Sequence, residues 1–164
     1  RAQEISRFEQ QQQRTVIAIN YIPELCRPDY LFLTNAKRYV QLAGKLTCPE
    51  NEKIPTIATS NLTKTSGKFT YALNYSSLID PKATIQDNSL MMLLRIFLRA
   101  GVTDVALAGF DGYSPDEMNY FSTNMEYNFI KEKAAELNLY AKDFLKQNEA
   151  ALHITFVTPS RYAQ

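Results

Sequence analysis

The chain has 164 residues, a formal net charge of +1, 45% hydrophobic and 21% charged residues. That composition excludes a disordered chain, and the balanced charge leaves no overall field to attract nucleic acid or an anionic membrane. Glycine falls below its usual share of roughly 7%, and one His limits any mechanism built on imidazole.

The length predicts a single domain over residues 1–164. No apolar run approaches the ~20 residues of a membrane span. The polar, Gln-rich residues 1–14 do not read as a signal peptide, so the expected location is the cytoplasm. Cys26 and Cys48 lack the spacing of a zinc half-site or a disulfide framework and read as reduced, mostly buried thiols.

In chain order, residues 4–13 carry Ile5 and Phe8 at helical spacing and predict a helix with a narrow apolar stripe. Residues 15–20 and 29–34 are short β-branched or aromatic runs, the first closed by Asn20 and the second by Thr34 and Asn35. Both read as buried strands. A helix over 36–42 stopped by Gly44 follows, then a strand that closes on Ser60 and Asn61. Residues 62–67 read as a polar loop and 69–75 as an edge strand. Asn88 caps a helix over 89–100, with Leu90, Leu93, Leu94, Phe97 and Leu98 on its buried side and Gly101 as its stop. That helix leads into a fully buried strand over 103–109 and the turn Phe110-Asp111-Gly112, half of a parallel strand–helix–strand unit. Ser114-Pro115-Asp116-Glu117 has capping-box spacing and predicts a helix start. A helix over 126–146, with Phe129, Ala134, Leu137, Tyr140, Ala141, Phe144 and Leu145 on its apolar face, and a strand over 152–157 complete the pattern.

Apolar strands separated by helices predict an α/β fold of three layers with a mostly parallel, Rossmann-like sheet. Ligands of such sheets sit beyond the carboxyl ends of the strands. Here those ends carry Asn20, Thr34, Asn35, Ser60, Asn61, Asp111, Thr158 and Ser160. An edge of amides and hydroxyls suits a base, a ribose or a sugar. The absence of GxGxxG, GxxxxGK[ST] and HExxH argues against a standard nicotinamide enzyme, a phosphate-loop NTPase and a zinc hydrolase.

Individual candidates carry two readings each. Asp111, between Gly109 and Gly112, is either a ligand or metal contact or an acceptor of backbone N–H groups within its turn. Ser89 either brings a hydroxyl and a helix N-terminus to an anion or is an ordinary first-turn residue. Lys37 and Arg38 either clamp a phosphate or are solvated surface charge. Tyr113 is close enough to Asp111 to border a pocket, although its spacing of seven from Tyr120, and of Tyr120 from Tyr127, also suits a packed helix face. His153 lies inside the last predicted strand and reads as structural.

The run from Ser89 through Ala100-Gly101 to Gly109-Phe110-Asp111 resembles the Ser, helix, Gly, strand, Gly-x-Asp segment of bacterial sialyltransferases and of related Rossmann-like domains that include pterin pyrophosphokinases. Asn20 and the run Asp29-Tyr30-Leu31-Phe32-Leu33-Thr34-Asn35 resemble the neighbouring elements. The resemblance implies nucleotide contacts from Asn20, Thr34, Asn35, Ser89 and Asp111. It also implies a first strand and a Gly-rich turn that these residues lack, so the expectation is a Rossmann-like domain without its first strand. Sialyltransferases use a His after the Gly-x-Asp segment, and residues 112–152 contain none.

Over the whole chain, Val16-Ile17-Ala18-Ile19-Asn20-Tyr21-Ile22-Pro23 and the ending Ile154-Thr155-Phe156-Val157-Thr158-Pro159-Ser160 resemble the C-terminal domain of bacterial proteins whose N-terminal part is an aldolase barrel of the 4-hydroxy-2-oxovalerate aldolase and HMG-CoA lyase type. The implied protein is a longer lyase with this domain at its C-terminal end. The expectation is an accessory domain that binds a nucleotide or nucleotide sugar and is not itself catalytic. Its implied partner is the barrel in the same chain, with no nucleic acid or membrane partner. No cofactor is assigned to the domain, and a divalent metal would belong to the barrel. Two alternatives stand beside this: a glycosyl or pyrophosphoryl transferase with Asp111 or Tyr113 in the acid–base role, and a structural oligomerisation module.

Overall fold

Strands β1 (Ile17–Ile19), β2 (Tyr30–Leu33), β3 (Thr56–Thr59) and β4 (Tyr71–Leu73) pair in parallel in the order β1-β2-β3-β4. A second parallel sheet pairs β5 (Asp104–Leu107) with β6 (His153–Phe156). Helices α1 (Ala2–Gln11), α2 (Ala36–Leu46), α3 (Ser89–Ala100), α4 (Asn128–Glu132) and α5 (Ala134–Gln147) connect or flank them. The computed structural model describes residues 2–11, 14–24, 26–62, 68–119 and 128–163. The fold is mixed α/β and Rossmann-like, a four-stranded parallel sheet flanked by helices.

Strand alternation assigns the layers. Leu31, Leu33 and Ala58 point to one face of the larger sheet and pack with Leu42 of α2, Ile54 and Leu62. Phe32 points to the other face and packs with Met92 and Leu93 of α3, where Ile17, Ile19 and Ile57 join them. Buried on both faces, β2 is apolar at every position, as a central parallel strand must be. The smaller sheet packs Val105 and Leu107 against Met91 and Leu94 of α3 and against Ala141 and Phe144 of α5. Helix α3 therefore touches both sheets.

Polar bonds fix the helices in place. Asn88 Oδ1 accepts from Met91 N (3.2 Å) at the start of α3, and Gly101 ends it in the left-handed conformation (φ 71°). Arg95 of α3 donates to Leu78 O (2.9 Å) and to the hydroxyl of Tyr140 on α5, and that hydroxyl donates to Asp80 Oδ2 (3.0 Å).

Several expectations are corrected. Gly44 does not stop α2: the helix runs on to Leu46, which packs against the α2 core, and the Thr47 hydroxyl and Cys48 thiol both donate to Gly44 O. Ser114 Oγ accepts from Asp116 N (3.3 Å) and Glu117 N (3.2 Å), yet residues 115–119 bend instead of turning into a helix. The long helix expected over 126–146 is broken at Lys133, and Phe129 is exposed; residues 126 and 127 lie outside the described residues. Strand β5 is not buried throughout, since Asp104 is exposed. Cys26 and Cys48 are half-buried, not mostly buried. The loop expected over 62–67 begins in a 3-10 turn ending at Leu62, and its residues 63–67 lie outside the described residues.

Two glycines give opposite expectations. Gly44 lies inside α2 with open space where a Cβ would stand, so Gly44→Ala gains about 0.5–1 kcal/mol of stability. Gly101 also has space but holds φ 71°, so Gly101→Ala loses about 1–2 kcal/mol. Urea denaturation of both variants checks the pair.

Candidate functional site

The carboxyl ends of β1 and β2 meet the amino end of α3. Asn20 follows β1 with φ 52°, a left-handed turn that Asn tolerates better than most residues. The turn aims its amide across the sheet edge. Asn20 Nδ2 donates to Thr34 Oγ1 (3.0 Å) and to Ser89 Oγ (2.8 Å), and Asn20 Oδ1 accepts from Thr34 N (2.9 Å). Thr34 Oγ1 and Ser89 Oγ share a further bond of 2.6 Å. Three of the predicted residues are thus one bonded cluster, joining positions 69 residues apart in the chain.

A donor count shows what the cluster can still do. Two amide protons and one hydroxyl proton are used within it, which leaves one hydroxyl proton over. Thr34 is buried and Ser89 only half-buried. Either hydroxyl can donate in the Thr34–Ser89 bond, so the remaining proton sits on one of the two, and Ser89 is the more accessible of them. Within α3, Met91 N is bonded to Asn88 Oδ1 and Met92 N to Asn88 O, while Ser89 N and Leu90 N precede the first intrahelical bond.

The β5 end reaches the same place. Asn88 Nδ2 donates to the hydroxyl of Tyr113 (2.9 Å), whose own proton is left to donate onward. Asn138 of α5 holds the Tyr113 backbone from both sides, accepting from its N (2.9 Å) and donating to its O (2.8 Å). Tyr162 donates to the same Asn138 Oδ1 (2.5 Å). Burial raises the Tyr113 phenol above its ordinary value, with the Asn88 bond acting the other way; burial and the nearby Tyr113 push Tyr162 further up. Both hydroxyls keep their protons at neutral pH.

Asp111 lies in the turn between Gly109 (φ 76°) and Gly112 (φ 101°), and a side chain at Gly112 would collide with Arg161. Thr158 Oγ1 accepts from Gly109 N (2.8 Å) and reaches Asp111 Oδ1 at 3.5 Å. Asp111 is therefore braced by the segment after β6.

Other candidates are placed differently. Asn35 caps α2, its Oδ1 accepting from Arg38 N (3.1 Å). Arg38 is buried, not solvated, and its Nη1 donates to Gln41 Oε1 (3.2 Å) on its own helix. His153 is exposed at the first residue of β6, at the amino end of the strands and so opposite the cluster. Tyr120 and Tyr127 lie outside the described residues. Sequence reasoning missed the second role of Asn88 and the part played by Asn138. The signal for Asn88 was present, because a capping Asn uses its oxygen and leaves its amide nitrogen free to reach a partner. Among the described residues no group of three or more His, Cys, Asp or Glu is placed to hold a metal, and no helix is long and apolar enough to cross a membrane.

No family model, curated protein or solved structure matches the chain. The tyrosines give a prediction of their own. Their raised folded values favour the neutral phenol, so this stabilisation is complete below about pH 10, the ordinary phenol value, and fades as pH rises towards the folded values. Urea midpoints should fall above about pH 10 in the native chain and fall less steeply in a Tyr113→Phe, Tyr162→Phe variant. Equal slopes would remove these two phenols as the cause.

Proposed function

We propose that this domain binds a nucleotide or nucleotide sugar at the edge formed by Asn20, Thr34, Ser89, Asn88 and Tyr113. The observation that carries the reading is the excess of donors there. One hydroxyl proton of the Thr34–Ser89 pair, the Tyr113 hydroxyl proton and the first two N–H groups of α3 are unused by the cluster described above. A ligand rich in acceptor oxygens, such as a phosphate or a base carbonyl, complements them, and the positive end of the helix dipole favours an anion. Asp111, at the end of the neighbouring sheet, is an acceptor suited to ribose or sugar hydroxyls. Asn35 and Arg38 lie outside this bonded cluster, Asn35 Oδ1 capping α2 and Arg38 engaging Gln41.

The resemblance to the C-terminal domains of aldolase-type proteins supplies a setting in which the domain is an accessory ligand sensor or anchor and the lyase chemistry belongs to the barrel. Nothing in the donor cluster calls for bond making or breaking. Calorimetric titration with nucleoside mono- and diphosphates and their sugar conjugates is the test. Saturable binding is expected, weakened about 5- to 10-fold by Ser89→Ala and by Tyr113→Phe, the effect of ~1 kcal/mol per neutral hydrogen bond. Absence of saturable heat up to about 1 mM ligand, or binding indifferent to both variants, overturns the proposal.

A further inference from the structure

The two sheets present bare edges to each other. Strand β1 bonds to β2 through alternate residues: Tyr30 N donates to Val16 O (3.1 Å) and Asn20 N donates to Phe32 O (2.8 Å). In a parallel ladder the intervening residues point the other way, so the N–H and C=O groups of Ile17 and Ile19 face away from β2. On β5, His153 N donates to Thr103 O (2.6 Å) and Val157 N to Leu107 O (2.8 Å). By the same alternation, the backbone groups of Asp104 and Ala106 face away from β6. No described strand pairs with either edge.

Both edges run in the same direction. Helix α3 starts at the carboxyl ends of β1 and β2, where Ser89 bonds to Asn20 and Thr34. The chain returns through Gly101 into β5, and just beyond the end of β5 Tyr113 bonds to Asn88 at the start of the same helix. Strand β5 is therefore parallel to β1. Their separation is bounded too, because α3 packs on Ile17 and Ile19 with Met92 and Leu93 and on Val105 and Leu107 with Met91 and Leu94. A helix is about 10–12 Å across with its side chains, and strands two places apart in a sheet are separated by about 10 Å. One strand fits that interval.

The chain also shows where such a strand connects. Moving from β2 through α2 to β3 goes away from β5, and α2 lies on the face opposite α3. A strand in the slot, followed by α1 and β1, makes the same move, and the common right-handed crossover puts α1 on that same face. On that side β5 and β6 are uncovered: Asp104, His153 and Thr155 are exposed and Ala106 half-buried. An isolated two-stranded sheet is marginal, and parallel sheets are normally covered on both faces.

We propose that an extended, β-branched segment attached ahead of α1 inserts between β1 and β5, parallel to both, and joins the two sheets into one with β1 and β5 as its neighbours. The proposal is independent of any ligand. The test is amide hydrogen exchange on three proteins: the 164-residue chain, a fusion placing Val-Ile-Val-Ile-Val and a short linker ahead of Arg1, and the same fusion with its central Val replaced by Pro. In the unfused chain, Ile17, Ile19, Asp104 and Ala106 should exchange fast while Ala18, Val105 and Leu107 are protected. The fusion should slow the first set at least about 10-fold and the Pro version should not, because Pro cannot donate to the ladder. Protection of the four amides already in the unfused chain, protection that grows with its concentration and so comes from a second copy, or a fusion without effect would each overturn the proposal.

Discussion

Helix α3 is the element on which the rest depends, because it packs on both sheets. Four consecutive residues, Met91 to Leu94, are buried, although a helix lying on one flat surface buries only a stripe. The full turn is covered because Met92 and Leu93 meet the larger sheet while Met91 and Leu94 meet the smaller one. Among the described residues no ladder bonds run between the sheets, and hydrophobic contact through this helix, the Arg95 bonds to Leu78 and Tyr140, and the bonds of Ser89 and Asn88 to the two sheet ends do the joining.

The polar edge is a consequence of the same placement. A helix that bridges two parallel sheets brings its amino end to the carboxyl ends of both, so Asn88 and Ser89 stand between Asn20 on one side and Tyr113 on the other. Buried amides and hydroxyls there require partners, and the cluster supplies them from three elements. That mutual satisfaction fixes the geometry without ligand. Only the donors at its rim remain for something else.

Much of the fold was legible because local signals agreed with the tertiary outcome. Asn88 and Gly101 mark the two ends of α3 as read, but the expected stripe of Leu90, Leu93, Leu94, Phe97 and Leu98 is only part of the buried side: Met91 and Met92 are buried with Leu93 and Leu94, while Leu90, Phe97 and Leu98 are half-buried, because two sheets cover the helix instead of one. The polar residues closing β1 and β2 pointed to the edge where Asn20, Thr34 and Ser89 assemble. Signals failed where tertiary packing or exposure decided. Gly44 carries the local mark of a stop, yet Leu46 has a core to enter and the helix goes one turn further. Arg38 looks like surface charge in the sequence, but the stripe that includes Leu42 turns it inward. Asn138 lies between two leucines in a helix, and only the fold shows that it faces the Tyr113 backbone.

The reading of His153 shows most clearly how strand period and sheet completeness interact. A run such as Leu152-His153-Ile154-Thr155-Phe156-Val157 looks continuous enough for a strand buried on both faces, which would enclose the imidazole. In the fold it alternates, with Ile154 and Phe156 partly buried against α3 and α5 and His153 and Thr155 exposed. Its neighbour β5 alternates in register, Val105 and Leu107 buried and Asp104 exposed. Two adjacent strands that are polar on one face and apolar on the other describe an antiparallel sheet at a protein surface, yet these are parallel. The His therefore lies at a surface and not in a core. It lies at the amino end of its strand, the far side of the sheet from Ser89 and Tyr113, so the amides and hydroxyls of the polar edge work without His153 beside them.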